Sequence, residues 1–189
     1  MARNKKPATT GDMIRTLAVI LVPLVLITWF FSRDLGDYQV QTVDWKPTLA
    51  QARSESPYPV LAPEGLPDTW RATQVAWVPQ GRPHLNGEAS VRNLWQLGFL
   101  NPDDIFVSVN QGDAQPDRFV ADLTREGYPD GQSMVGDQTW VRFVSLDERT
   151  RSLVLSSPSG EGEAPVTTVV VGDTTYASLE AFAGSLSAG

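Results

Sequence analysis

The chain has 189 residues, 41% hydrophobic and 20% charged, enough for one ordinary domain plus an appendage. It has no cysteine and a single histidine, His84, which excludes disulfides, thiolate metal sites, cysteine nucleophiles and histidine-rich metal sites. The net charge is −7; Arg3, Lys5, Lys6, Arg15 and Arg33 against Asp12 make residues 1–33 net +4, so the rest of the chain carries −11 and repels nucleic acid.

Thr16 to Phe31 reads TLAVILVPLVLITWFF, sixteen residues without a charge, and Met13 and Ile14 extend the apolar stretch. About 18 helical residues at 1.5 Å each reach roughly 27 Å, close to the hydrocarbon thickness of a bilayer. Thr16 opens this run. Pro23 sits mid-span, where lipid-embedded helices tolerate it. Trp29, Phe30 and Phe31 cluster at the far end, as interfacial aromatics do. A buried core helix would show a polar stripe, and this run has none. A cleaved signal peptide would have a shorter apolar core and a small-residue site after it, but SRDLGDYQ follows. The reading is therefore a cytoplasmic tail over 1–12, a transmembrane helix over 13–31, a stalk over 32–57 that partly orders against the domain through apolar positions such as Val40, Val43, Trp45 and Leu49, and an extracytoplasmic domain over 58–189. Cations before the span and Asp34 and Asp37 after it orient the N-terminus toward the cytoplasm.

Pro57, Pro59, Pro63 and Pro67 rule out helix and favour an extended segment along the domain edge. Runs rich in β-formers or alternating in polarity follow at 70–78, 91–100, 105–110, 137–146, 151–156 and 166–171, the last β-branched and suited to a central strand. Asp147 to Thr150 reads as a hairpin connection. Two helices are predicted. One begins at Pro116, with Phe119 and Leu123 on one face and Gly127 closing it. The other spans about 175–186, capped by Asp173, Thr174 or Thr175, with Leu179, Phe182, Ala183 and Leu186 as its apolar face. The predicted class is α+β: an N-terminal transmembrane helix, then a mostly antiparallel sheet with two helices packed on one face.

The stretch Tyr58-Pro59-Val60, Ala62-Pro63-Glu64-Gly65-Leu66-Pro67 and Trp70-Arg71 occurs with Gly136-Asp137-Gln138-Thr139-Trp140 and a C-terminal VVVGDTTYASLEAFAGSL over 169–186. With the N-terminal anchor, this pattern resembles the DUF4245 family of actinobacterial membrane-anchored proteins of unknown function, over nearly the whole length. The resemblance implies an anchor, a size and a compartment, and transfers no catalytic residue. At the level of fold, a small sheet with a C-terminal helix is also similar to the Mog1/PsbP-like sandwich.

No motif for chemistry stands out. His84 lies in the loop GRPHLNG, and no serine sits in a G-x-S-x-G elbow to partner it. Asp103-Asp104 after Asn101-Pro102 reads as a turn, without the repeated oxygen ligands of a calcium loop. Gly160-Glu161-Gly162-Glu163 lacks the lysine and hydroxyl of a phosphate cradle. No catalytic, cofactor-binding or metal residue is assigned, and no cofactor is expected. Tryptophans outside the span are core residues by default. Trp77 and Trp95, which border the His84 loop, are the candidate ligand or partner contacts with His84, provided the rings are exposed together. Expected partners are the lipid bilayer and another membrane or envelope protein. The leading function is a non-enzymatic envelope module binding through a sheet face or the loop at 79–90. The alternatives are an acidic-residue hydrolase of envelope polymer and a structural subunit of a membrane complex.

Overall fold

The structure, a computed structural model, describes residues 10–32, 41–83, 87–157 and 165–189. It contains two compact units, Met1–Val40 and Gln41–Gly189.

In the first unit, α1 (Thr10–Ser32) runs through Pro23. Its Met13–Phe30 window has a mean hydropathy of 2.2 and no buried portion. The Thr28 hydroxyl donates back to Leu24 O at 2.9 Å, so this polar group is satisfied within the helix. Among the described residues this is the one helix long and apolar enough to cross a bilayer.

The second unit contains α2 (Lys46–Glu55), β1 (Ala62–Pro63), β2 (Arg71–Val78), β3 (Leu94–Leu100), β4 (Phe106–Gly112), α3 (Pro116–Thr124), β5 (Tyr128–Val135), β6 (Gln138–Val144), β7 (Arg151–Ser157), β8 (Val166–Gly172), α4 (Tyr176–Gly184) and β9 (Leu186–Ser187). Seven strands form one antiparallel sheet in the order β2-β3-β4-β8-β7-β6-β5, and β1 pairs with β9 in a second, two-stranded sheet. The β-branched β8 takes the centre, as its composition predicts. The class is α+β.

Strand alternation divides the sheet into two faces. Trp95, Leu97, Phe99, Val107, Val109, Leu153, Leu155 and Val170 form the larger core with Leu49 and Ala52 of α2, Leu179 and Phe182 of α4, and Tyr58, Val60 and Ala62 of the proline-rich segment. Phe99 meets Trp45, Trp70 and Phe182 edge-on, while Trp70 stacks on Phe182 at 5.5 Å. On the opposite face Leu94, Val154 and Val169 pack against Phe119 of α3. Helices therefore cover both faces, not one. The chain leaves β4 in mid-sheet and must reach β5 at the far edge. The first face is occupied, so α3 crosses β8 and β7 on the other.

Three further expectations change. The stalk over 32–57 contains α2, whose Leu49 and Ala52 are buried in the core, so the compact unit begins at Gln41 and not at 58. The sequence pattern assigns no element to 128–135, yet Tyr128–Val135 is strand β5. It lies at the sheet edge with a bulge between Pro129 and Gln132, the place where a sheet accepts proline. Gly127 does not close α3 by a positive φ; Arg125 does, at φ +56°. A β-carbon on residue 127 would stand 2.7 Å from Val144 O and 2.9 Å from Thr124 O, so glycine is required there by close approach. At α4, Thr175 is the cap and accepts from Ser178 N.

Side-chain bonds tie α4 to the sheet. Glu180 Oε1 accepts from Ser133 Oγ at 2.6 Å and Arg142 NH2 at 2.7 Å. The Arg142 guanidinium lies 4.8 Å from the centre of the Tyr176 ring, and the Tyr176 hydroxyl donates to Asp130 Oδ2 at 2.8 Å.

A chain trimmed to start at Gln41 is expected to unfold cooperatively. One trimmed to start at Tyr58 loses Trp45, Leu49 and Ala52 and should be destabilised by on the order of 3 kcal/mol or more, read by denaturant unfolding. Equal midpoints for the two would place α2 outside the folding unit. The Ser133 hydroxyl and then Arg142 hold the Glu180 carboxyl below the ordinary value of 4.5. Its contribution is present above that value and lost as pH falls through the lower, folded-state one. The unfolding temperature should drop as pH is taken below 4.5, and Glu180→Gln should flatten that drop in a melting series.

Candidate functional site

The two tryptophans bordering the His84 loop are cross-strand neighbours, Trp77 on β2 opposite Trp95 on β3. They do not form an exposed pair. Trp95 is 0% exposed and donates Nε1–H to Leu61 O at 2.9 Å. Trp77 is half-buried, meets Tyr58 edge-on at 6.3 Å and donates to Glu55 Oε2 at 2.8 Å. Both rings lie on the face covered by α2 and the proline-rich segment, so Trp95 is a core residue and not a ligand contact. His84 lies outside the described residues. Thr16, Pro23, Trp29 and Phe31 all fall within α1, the apolar helix.

Two clefts are lined by a residue with a buried polar donor that has no acceptor among the described residues. The first, about 500 Å³, opens where the proline-rich segment, the C-terminal strand β9 and the ends of β6, β7 and β8 meet. Tyr58, Gln111, Trp140, Leu155, Thr168 and Leu186 are among its walls. Gln111 is buried with every polar atom engaged. Its Oε1 accepts Leu61 N–H at 2.7 Å, and its Nε2 donates to Pro59 O at 3.2 Å and Thr168 Oγ1 at 3.3 Å. The Tyr58 hydroxyl donates to Asn93 O at 3.0 Å; burial, then the nearby Asp113 charge, raise its pKa well above the ordinary phenol value. Trp140 is 2% exposed, and its indole N–H has no acceptor among the described residues.

The second cleft, about 430 Å³, lies on the other sheet face between α3 and the segment 88–96. Leu94, Phe119 and Leu123 supply apolar surface; Arg92, Gln96 and Arg118 supply polar groups. Arg92 is nearly enclosed. Its stem crosses Gly112, where a β-carbon would stand 3.0 Å from Cδ, and its guanidinium sits 4.8 Å from the centre of the Phe119 ring. Desolvation, the largest influence, lowers its pKa.

Among the described residues, the carboxylates whose ionisation is displaced do not assemble acid–base chemistry. Glu55 is lowered by Trp77 and then Gln51, Asp147 by Ser145 and then Arg149 N–H, and Glu180 as described. All move toward the charged form, and none lines either cleft. Glu88 and Asp122 line the α3 cleft, but they share it with Arg92 and Arg118, so that cleft holds mixed charge.

Sequence reasoning missed Arg92, Gln111 and Trp140 as cleft residues. Gln111 had a signal: it is polar at a position sharing parity with Val107 and Val109. Arg92 had none, since a lone arginine before a strand reads as solvated surface.

The architecture defines a class: a small α+β domain behind one N-terminal apolar helix. The chain belongs to the DUF4245 family, described as proteins of unknown function, whose model matches residues 5–186. No curated protein matches it. Among solved structures it is similar to a chain of "The complex structure of Pseudomonas aeruginosa MucA/MucB", at 14% identity and a TM-score of 0.36. That match covers 67% of this chain and 34% of the other, so this chain spans about a third of that one's length. A score at that level transfers no function.

Trp95→Phe should cost about 2 kcal/mol or more, because it leaves a void and strands Leu61 O, whereas Trp77→Phe should cost less than about 1 kcal/mol. Denaturant unfolding monitored by circular dichroism reads the difference. Equal costs would contradict the burial assigned to Trp95.

Proposed function

We propose that this protein is a membrane-anchored, non-enzymatic binding module whose domain over 41–189 works on the extracytoplasmic side of the cell membrane. The observation that carries the reading is shared by both clefts: each combines apolar walls with a buried polar donor that lacks an acceptor among the described residues, Trp140 Nε1 in one and Arg92 NH1 in the other. A binding site has this composition, with apolar area for affinity and a few polar groups for orientation. A hydrolase working through two carboxylates needs one of them held protonated, and the displaced carboxylates here are displaced the other way. Tethering supports the reading too, since an anchor raises the effective concentration of a module near other membrane components. The orientation rests on charge: cations precede the apolar helix and acidic residues follow it.

The absence of cysteine makes orientation simple to test. Leu146, between β6 and β7, is 75% exposed. On intact cells a membrane-impermeant maleimide should label Leu146→Cys and spare Ala2→Cys until lysis. The reverse pattern would sink the proposed orientation.

A further inference from the structure

Arg92 is 8% exposed, and among the described residues no carboxylate forms an ion pair with it. Its NH1 is buried with no acceptor among the described residues. A guanidinium stays charged in proteins, so burial cannot be relieved by losing the proton. An unpaired buried charge is among the most destabilising features a fold can hold. The Phe119 face offsets part of that cost through its quadrupole, but an aromatic face accepts no in-plane hydrogen bond from NH1. Asp122 and Asp113 favour the Arg92 charge through space, and Arg118 opposes it, but neither carboxylate forms an ion pair with it. Asp113 accepts from Asn93 N at 2.9 Å and Asn93 Nδ2 at 2.6 Å, and Asp122 faces Arg118 at 3.9 Å. The fold thus maintains a partly desolvated cation at the wall of a cleft, with part of its hydrogen-bonding capacity unused by the described residues.

We propose that the α3 cleft binds a small organic acid with one carboxylate and an apolar body, its carboxylate on Arg92 and its body against Leu94, Phe119 and Leu123. This rests on the reading of the domain as a binding module and names the ligand class of one of its clefts. A monoanion fits better than a phosphate, because Glu88 and Asp122 share the cleft and oppose a second negative charge. The cleft volume of about 430 Å³ suits a small molecule. A guanidinium held in place by Gly112 and Phe119 is preorganised to accept a carboxylate without further ordering.

The test uses the full chain in lipid nanodiscs with hydrocinnamate as probe and its neutral amide as control, read by ligand-observed NMR and by thermal shift. The acid should bind and raise the unfolding temperature, and the amide should bind about tenfold more weakly. Arg92→Met should abolish that preference, and Arg92→Lys should retain part of it. Without ligand, Arg92→Met should melt at or above the wild-type temperature, because a buried unpaired cation has been removed. Equal binding of acid and amide by the wild type, unchanged acid binding by Arg92→Met, or no acid binding through the millimolar range would each overturn the proposal. The wild-type comparison decides the matter even if Arg92→Met does not fold. Failure here with Leu146→Cys still labelled from outside removes the ligand class and leaves the anchored-module reading standing.

Discussion

The domain depends on how a segment with too few backbone donors is buried. Pro57, Pro59, Pro63 and Pro67 have no N–H, so the chain between them cannot join the main sheet by an ordinary ladder. It nevertheless lies on the larger core, where unpaired backbone groups are costly. The sheet solves this with side chains. Gln111 takes Leu61 N–H and gives to Pro59 O, Trp95 gives to Leu61 O, and Tyr58 gives to Asn93 O. Those bonds hold Tyr58, Val60 and Ala62 in the core and carry the chain into the β1–β9 pair. Arg53 of α2 adds to the arrangement by donating to Ser187 O at 3.2 Å. The segment that precedes the sheet and the residues that end the chain are thereby secured together.

The same arrangement explains the clefts. One forms at the margin of the proline-rich segment, where a polar-lined bed is only partly covered. The other forms because a short α3, nine residues long, is the helix that covers the opposite face. Nine residues cannot cover seven strands, so part of that face stays open. Part of it is also polar, with Gln96 donating to Asn110 and Asn110 to Ser108. A sheet whose two faces are each left partly uncovered at one margin is a scaffold with room for a ligand.

Turn chemistry repeats in the two halves of the sheet. Gly112 ends β4 and is followed by Asp113, and Gly172 ends β8 and is followed by Asp173. Asp113 accepts from Asn93, the residue before β3; Asp173 accepts from Thr150, the residue before β7, at 2.6 Å. Each aspartate joins the exit of one strand to the entrance of its antiparallel neighbour, at the open end of the hairpin.

Much of this was legible in the residues themselves. An uncharged run of sixteen has only lipid or a large core as solvent, so α1 followed from hydropathy alone. Six strands and two helices followed from alternation, β-branched composition and caps, because these are properties of neighbours in the chain. α2, β5 and the division of helices between faces did not follow. α2 is a short helix with only Leu49 and Ala52 buried, against partners far along the chain, and β5 is acceptable as a strand only because it lies at an edge. The cleft residues were missed for a sharper reason. Trp95 and Leu94 differ by one position, and a strand sends such neighbours to opposite faces. Local pattern distinguishes the two faces of a strand; which face receives a helix and which keeps a cleft depends on pairing partners dozens of residues away, and that long-range closure alone buried the ring of Trp95 and set Arg92 beside open space.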